Sequence, residues 1–181
     1  MSLNIKATLM DEAAIKRAVM RISHEIIERN DGLDNVCIIG IQRRGVPMAK
    51  MIRDNLKSIE GVDVPLGIID ITFYRDDLSN LNAHPVVNGT HIPFDTFGKK
   101  IVLVDDVLFT GRTIRSAIDA IFDMGRPAAI ELAILIDRGH RELPIRADFI
   151  GKNVPTSRSE KIHVEFEEVD GKNQVLLCEE V

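Results

Sequence analysis

The 181-residue chain has no tryptophan, one tyrosine (Tyr74) and only two cysteines, Cys37 and Cys178. Two thiols so far apart form neither a disulfide framework nor a zinc-type ligand spacing, so a reducing, cytoplasmic setting is expected. Cys37 lies inside an apolar run and reads as a small core residue. The scarcity of large aromatics removes the stacking platform that single-stranded nucleic acids favour. Met1–Lys6 has no apolar core for a signal peptide, and no apolar run approaches membrane length, so no membrane partner is expected. A basic excess is also missing, because the formal net charge is −5. That deficit is local. Residues 162–181 place Glu165, Glu167, Glu168, Asp170, Glu179 and Glu180 against Lys172 alone, and the rest of the chain is balanced. A generally basic nucleic-acid binder is thereby excluded, while a local basic surface is not.

What is present alternates between two periodicities. Residues 11–29 read as a helix, with Ala14, Ile15, Ala18, Val19, Ile22 and Ile26 on one stripe and Thr8 with Asp11 as a capping box. Val36–Ile41 is a continuous apolar run, as in a strand buried on both faces, and Pro47 suits the first turn of a following helix. Val64 to Thr72 reads as a strand. About 73–99 is polar and punctuated by Pro and Gly, too long for a routine connection and suited to an active-site lid or arm. Residues 101–106 and 113–124 give the next strand and helix, and Ile130 to Ile136 another buried strand. Ile162, Val164 and Phe166 alternate with polar residues, and Gly171 with Val175–Leu177 closes a C-terminal β hairpin. This order predicts one α/β domain over 1–181, with a mainly parallel, doubly wound sheet flanked by helices.

The most informative segment is Ile101–Thr113. An apolar strand ends in Asp105-Asp106, and Thr110-Gly111-Arg112-Thr113 then opens a helix, where open α/β sheets place ligands. Carboxylates accept hydrogen bonds from a sugar diol, while Thr hydroxyls, loop N–H groups and a helix N-terminus hold a phosphate. A plainer reading has one carboxylate capping the turn and the other solvated. A nucleotide-hydrolase reading fails, because the only G-x-x-x-x-G, Gly40 to Gly45, continues into Val46-Pro47 instead of Lys and Ser/Thr. Gln42-Arg43-Arg44, after an apolar strand, reads either as a solvated basic turn or as a grip on a polyanion. The five histidines (His24, His84, His91, His140, His163) show no metal-ligand spacing, and no Ser or Thr stands in a nucleophile motif.

The unbroken segment from Ile101 to Thr113 resembles the 5-phosphoribosyl 1-diphosphate (PRPP) binding signature of the type I phosphoribosyltransferases. The resemblance implies that family's fold, with a small hood beside the main sheet. It assigns the ribose hydroxyls to Asp105 and Asp106, and the 5′-phosphate to the loop Val107, Leu108, Phe109, Thr110, Gly111, Arg112 and Thr113 that follows Val104. Arg44, with Arg43 as the weaker choice, falls in the diphosphate loop. Mg²⁺ would arrive with PRPP, and Asp137 could meet it through water. Tyr74 and Arg75 would act from the loop, and Arg138 and the backbone near Val154 would meet the base. Phe109 stands where some purine-using members carry a carboxylate, which favours a pyrimidine.

Residues 22–30, 70–78 and 137–157 narrow the likeness to the bifunctional pyrimidine-operon regulators within that family, over about residues 8 to 170. This implies a uracil phosphoribosyltransferase yielding UMP and diphosphate. It also implies binding to pyrimidine-gene leader RNA in response to UMP or UTP, on a basic face of a homodimer or larger oligomer. Candidate RNA contacts are Arg17, Arg21, His24, Arg29, Arg43, His140, Arg141, Arg146 and Lys152. Such regulators often carry a basic-Thr-Arg sequence where this chain has Gln42-Arg43-Arg44. A regulator with vestigial catalysis and a salvage enzyme without RNA binding are the alternatives.

Overall fold

The computed structural model describes residues 3–72 and 89–180. The chain runs β1 (Leu3–Met10), α1 (Glu12–Asn30), β2 (Val36–Ile41), α2 (Gly45–Glu60), β3 (Leu66–Ile69), β4 (Lys100–Leu108), α3 (Arg112–Met124), β5 (Ala129–Asp137), β6 (Phe149–Asn153), β7 (Glu160–Glu165), α4 (Glu167–Asp170) and β8 (Gln174–Glu180). Five strands form a parallel sheet in the order β3-β2-β4-β5-β6, and a separate antiparallel sheet has the order β1-β8-β7.

Both faces of the parallel sheet are covered, which explains the unbroken apolar runs. Val102 and Val104 of β4 pack with Met48, Ile52 and Leu56 of α2 and with Ile15, Ile22 and Ile26 of α1. Ile101 and Leu103 face the other way, toward Ile114, Ala117 and Ile121 of α3. Phe166, which follows β7, and Val175 of β8 join the first of these cores. The strand order reverses between β2 and β4, so the loops leaving their carboxyl ends flank one crevice.

Several expectations are corrected. The α1 N-cap is Asp11 alone, whose Oδ1 accepts the Ala14 N–H at 2.8 Å; Thr8 belongs to β1. The strand expected over Val64 to Thr72 is only Leu66–Ile69, because the Asp70 side chain turns the chain by accepting the Thr72 N–H. β1 and β6 have no counterpart in the pattern read from the sequence. The expected arm at about 73–99 is described only from Gly89 onward, where His91 bridges to Ile68.

Candidate active site

The crevice is built by close approach of α2 to β4. A Cβ on Gly45 would overlap the Val104 carbonyl oxygen and lie 3.1 Å from the Asp105 Cα, so glycine lets the α2 N-terminus rest on the strand. This brings Arg44, the residue before α2, to the carboxylate pair. Asp105 is 7% exposed. Burial, and then the charge of Asp106, push its carboxyl well above the usual range. Burial raises Asp106 as well, opposed by its hydrogen bonds with Asp105 and the Val107 N–H and by the positive charge of Arg44. The pair therefore holds a proton more readily than two isolated carboxylates, and an incoming cation or diol is favoured there.

Arg44 is fixed by a residue that sequence reasoning did not single out. Its Nε and Nη2 donate to Asp170 at 3.2 and 2.8 Å, and Asp170 Oδ2 also accepts the Phe166 N–H. Asp170 lies in the acidic run 165–170, which carried no signal beyond charge. Lys50 pairs with Glu168 beside it, so α4 is tied to α2 twice. Arg43 is exposed, and the Gln42–Arg43 peptide is cis.

Beyond β4, Gly111 adopts φ 94° as the N-cap of α3, a left-handed conformation that glycine adopts without a Cβ penalty. The three carbonyls before it all face the segment after β5. The Leu108 oxygen accepts the Arg138 N–H at 3.1 Å, the Phe109 oxygen accepts Arg141 Nη1 at 2.7 Å, and the Thr110 oxygen accepts the N–H groups of Glu142 and Leu143 at 3.0 and 3.2 Å. With its carbonyls held by that segment, the loop keeps its N–H groups as the donors suited to an anion. Thr110 Oγ1 accepts the Arg112 N–H, Arg112 pairs with Glu142, and Thr113 is exposed in the first turn of α3.

Three placements differ from expectation. Arg138 is 6% exposed and turned inward; its Nε and Nη2 donate to Thr156 Oγ1 and to the Ser157 and Glu160 carbonyls. Its guanidinium lies 4.0 Å from the centre of the Phe109 ring, so it supports Phe109 instead of reaching a base. The Val154 N–H is spent on the Asp137 carbonyl, leaving only its own carbonyl for a base. Both Asp137 oxygens accept hydrogen bonds, from the Gly139 N–H at 3.0 Å and Arg141 Nη2 at 2.5 Å, so its charge is already compensated within the protein. Asp105 and Asp106 do fit as hard oxygen donors short of compensating charge. A cleft of about 450 Å³ lined by Asp137, Arg138, His140, Asn153, Pro155 and Thr156 adjoins the loop. Tyr74 and Arg75 lie outside the described residues.

Of the candidate RNA residues, Arg17, Arg21 and Lys152 line one groove between α1 and β6, with exposed His24 further along α1. Arg21 also donates to the Ile150 and Gly151 carbonyls, and Arg29 is neutralised by Glu131 and Asp148 at 3.2 and 3.0 Å. His140 Nε2 contacts the Thr156 carbonyl, and Arg146 is exposed. Arg141 is consumed by the contacts above.

Residues 7–170 match the family described as "Phosphoribosyl transferase domain". A "Bifunctional protein PyrR" of Acetivibrio thermocellus is 63% identical over 174 residues, covering 96% of this chain and 95% of that protein. Another of that name, from Caldicellulosiruptor bescii, is 64% identical over 169 residues and 93% of each chain. The chain belongs to the PyrR family. Among solved structures, the hypoxanthine phosphoribosyltransferase of Trypanosoma cruzi superposes with TM-score 0.74 over 98% of both chains. At 15% identity that likeness is one of fold, and the main parallel sheet with its small antiparallel companion is thus a phosphoribosyltransferase fold that PyrR-family chains share with a purine enzyme. Among the described residues no helix is long and apolar enough to cross a membrane.

Proposed function

We propose that the chain is a uracil phosphoribosyltransferase, converting PRPP and uracil to UMP and diphosphate, and that its UMP pocket governs binding of pyrimidine-operon leader RNA. One observation carries the catalytic half: a carboxylate pair, Asp105 buried and Asp106 half-buried, sits between an arginine on one side and a loop whose carbonyls are taken up by the segment after β5 on the other. That arrangement offers acceptors for a ribose diol flanked by donors for two phosphate groups. In the reaction the bond from C1′ to the diphosphate oxygen breaks with its electron pair, uracil N1 bonds to C1′, and the N1 proton departs. Asp105 and Asp106 hold the ribose hydroxyls, so that charge developing on the ring meets fixed acceptors. Arg44, oriented by Asp170, meets the leaving diphosphate, with Arg43 beside it. Phe109–Thr113 binds the 5′-phosphate, and Tyr74 and Arg75 are the further residues assigned to the bound substrates. Asp105 and Asp106 are the residues that would face a Mg²⁺ ion arriving with PRPP, which would supply charge neutralisation at the diphosphate.

The regulatory half rests on family membership and on the groove that gathers Arg17, Arg21 and Lys152. These, with His24, His140 and Arg146, are the candidate contacts for RNA phosphates. The reading includes a single catalytic domain, a cytoplasmic setting and a homodimer or larger assembly. Incubation with PRPP, Mg²⁺ and each free base tests the catalytic half. UMP and diphosphate should form with uracil, and purine nucleotide formation or no turnover would reject it.

A further inference from the structure

Asp137 and Arg141 form a clamp whose contacts all lie within the protein. Arg141 Nη2 donates to Asp137 Oδ2 at 2.5 Å, Nε to the Ile145 carbonyl at 3.0 Å, and Nη1 to the Phe109 carbonyl at 2.7 Å and more weakly to that of Gly139 at 3.5 Å. The Arg141 and Asp137 side chains are 22% and 11% exposed, and Asp137 Oδ1 is held by the Gly139 N–H. Every arm of the guanidinium is therefore in use, and the ion pair is shielded enough to act as a rigid anchor.

The Phe109 carbonyl is the middle one of three held by the segment after β5. Leu108 and Thr110 are held on either side by backbone N–H groups, while Phe109 is held by a side chain alone. A peptide plane released at this point can rotate. Rotation would turn the carbonyl after Phe109 inward and the N–H of Thr110 outward, replacing a phosphate donor with a repelling oxygen.

We infer that Arg141, anchored by Asp137, is a positioning residue for the 5′-phosphate loop, holding the Phe109–Thr110 peptide with its N–H toward the ligand. The inference rests on reading that loop as the 5′-phosphate site. It gives Arg141 a role inside the nucleotide pocket where sequence suggested an RNA contact, and Asp137 a role other than metal binding. The effect is confined to ligands that carry the 5′-phosphate. Uridine, which has the same base and ribose, serves as the internal control.

The test compares wild type with Arg141→Ala, Arg141→Lys and Asp137→Asn. UMP and uridine affinities are measured by calorimetry, and KM is measured separately for PRPP and uracil. Loss of the clamp should weaken UMP and raise KM for PRPP by about tenfold or more. Uridine affinity and KM for uracil should stay within about twofold, which a general packing defect would not achieve. Lysine should rescue poorly, since a single ammonium cannot bridge the Phe109 carbonyl, Asp137 and Ile145 together. Asp137→Asn, which keeps the side-chain shape, should move in the same direction and decides the matter if Arg141→Ala does not fold. Unchanged UMP affinity in the folded variants, or equal losses for UMP and uridine, would overturn the inference. A wild-type chain that binds neither PRPP nor UMP would instead reject the proposed function beneath it.

Discussion

Arg44 and Asp170 join the two sheets through a two-point ion pair, with side chains 31% and 15% exposed. The arginine belongs to the crevice and the aspartate to α4 in the small sheet's connection, so the hood's position is felt by the group that would meet the leaving diphosphate.

The Arg44 hydrogen bonds hold the Asp170 carboxyl below its usual range. Stability from the pair is therefore present above the ordinary carboxylate pKa and is lost as pH falls through the lowered value. Asp170→Asn should cost roughly 1 kcal/mol or less, because the pair is partly solvated. Its kinetic effect should be larger: kcat falls about tenfold with KM for uracil held, as expected when a charged group loses its orientation. Steady-state kinetics beside thermal unfolding separates the two effects.

Asp105 behaves in the opposite sense. Its raised carboxyl keeps a proton in the folded chain that the unfolded chain has released, so stability falls as pH rises from the ordinary carboxylate pKa toward the raised one. Asp105→Asn should flatten that slope and be at least as stable as wild type near neutral pH. Turnover of PRPP should drop about a hundredfold, since a fixed acceptor for the ribose is lost. Thermal unfolding across acidic to neutral pH, with kinetics at one pH, checks both.

The parts that were legible in sequence are those that depend on local pattern. β4 shows as an apolar run because both its faces are covered, and Asp105-Asp106 with Thr110–Thr113 shows because the ligand loop is contiguous. β1 is less visible, since LNIKATLM mixes polar and apolar residues and pairs only with the distant β8. β6 is short and runs into Lys152 and Asn153. The arginines carry little local signal of where they point. Arg138 and Arg141 stand three apart in one polar stretch, yet what turns them inward are acceptors supplied by residues 156–160 and by Phe109. Asp170 likewise acquires meaning only when the small sheet brings it to Arg44.

Gly45 provides a test of the architecture. Gly45→Ala places a methyl against the Val104 carbonyl and near the Asp105 backbone, so α2 must shift from β4. Destabilisation of roughly 2 kcal/mol is expected from such overpacking, with a larger loss of activity as Arg44 moves from Asp106. Denaturant unfolding and PRPP turnover provide the readouts.

For the RNA face, Arg17→Ala and Lys152→Ala should each weaken leader-RNA binding. Each should also reduce the slope of log affinity against log salt by about 0.7–0.9, the signature of one lost phosphate contact. Gel-shift titrations at several salt concentrations measure it.

The central claim is that one pocket both makes UMP and reports it to RNA. Leader-RNA affinity titrated with UMP, in wild type and in Asp106→Asn, tests this most directly. The account predicts that UMP strengthens RNA binding in wild type, and that the variant needs more UMP by the same factor by which its UMP affinity falls. An identical UMP response in both proteins, with UMP synthesis lost in the variant, would contradict it.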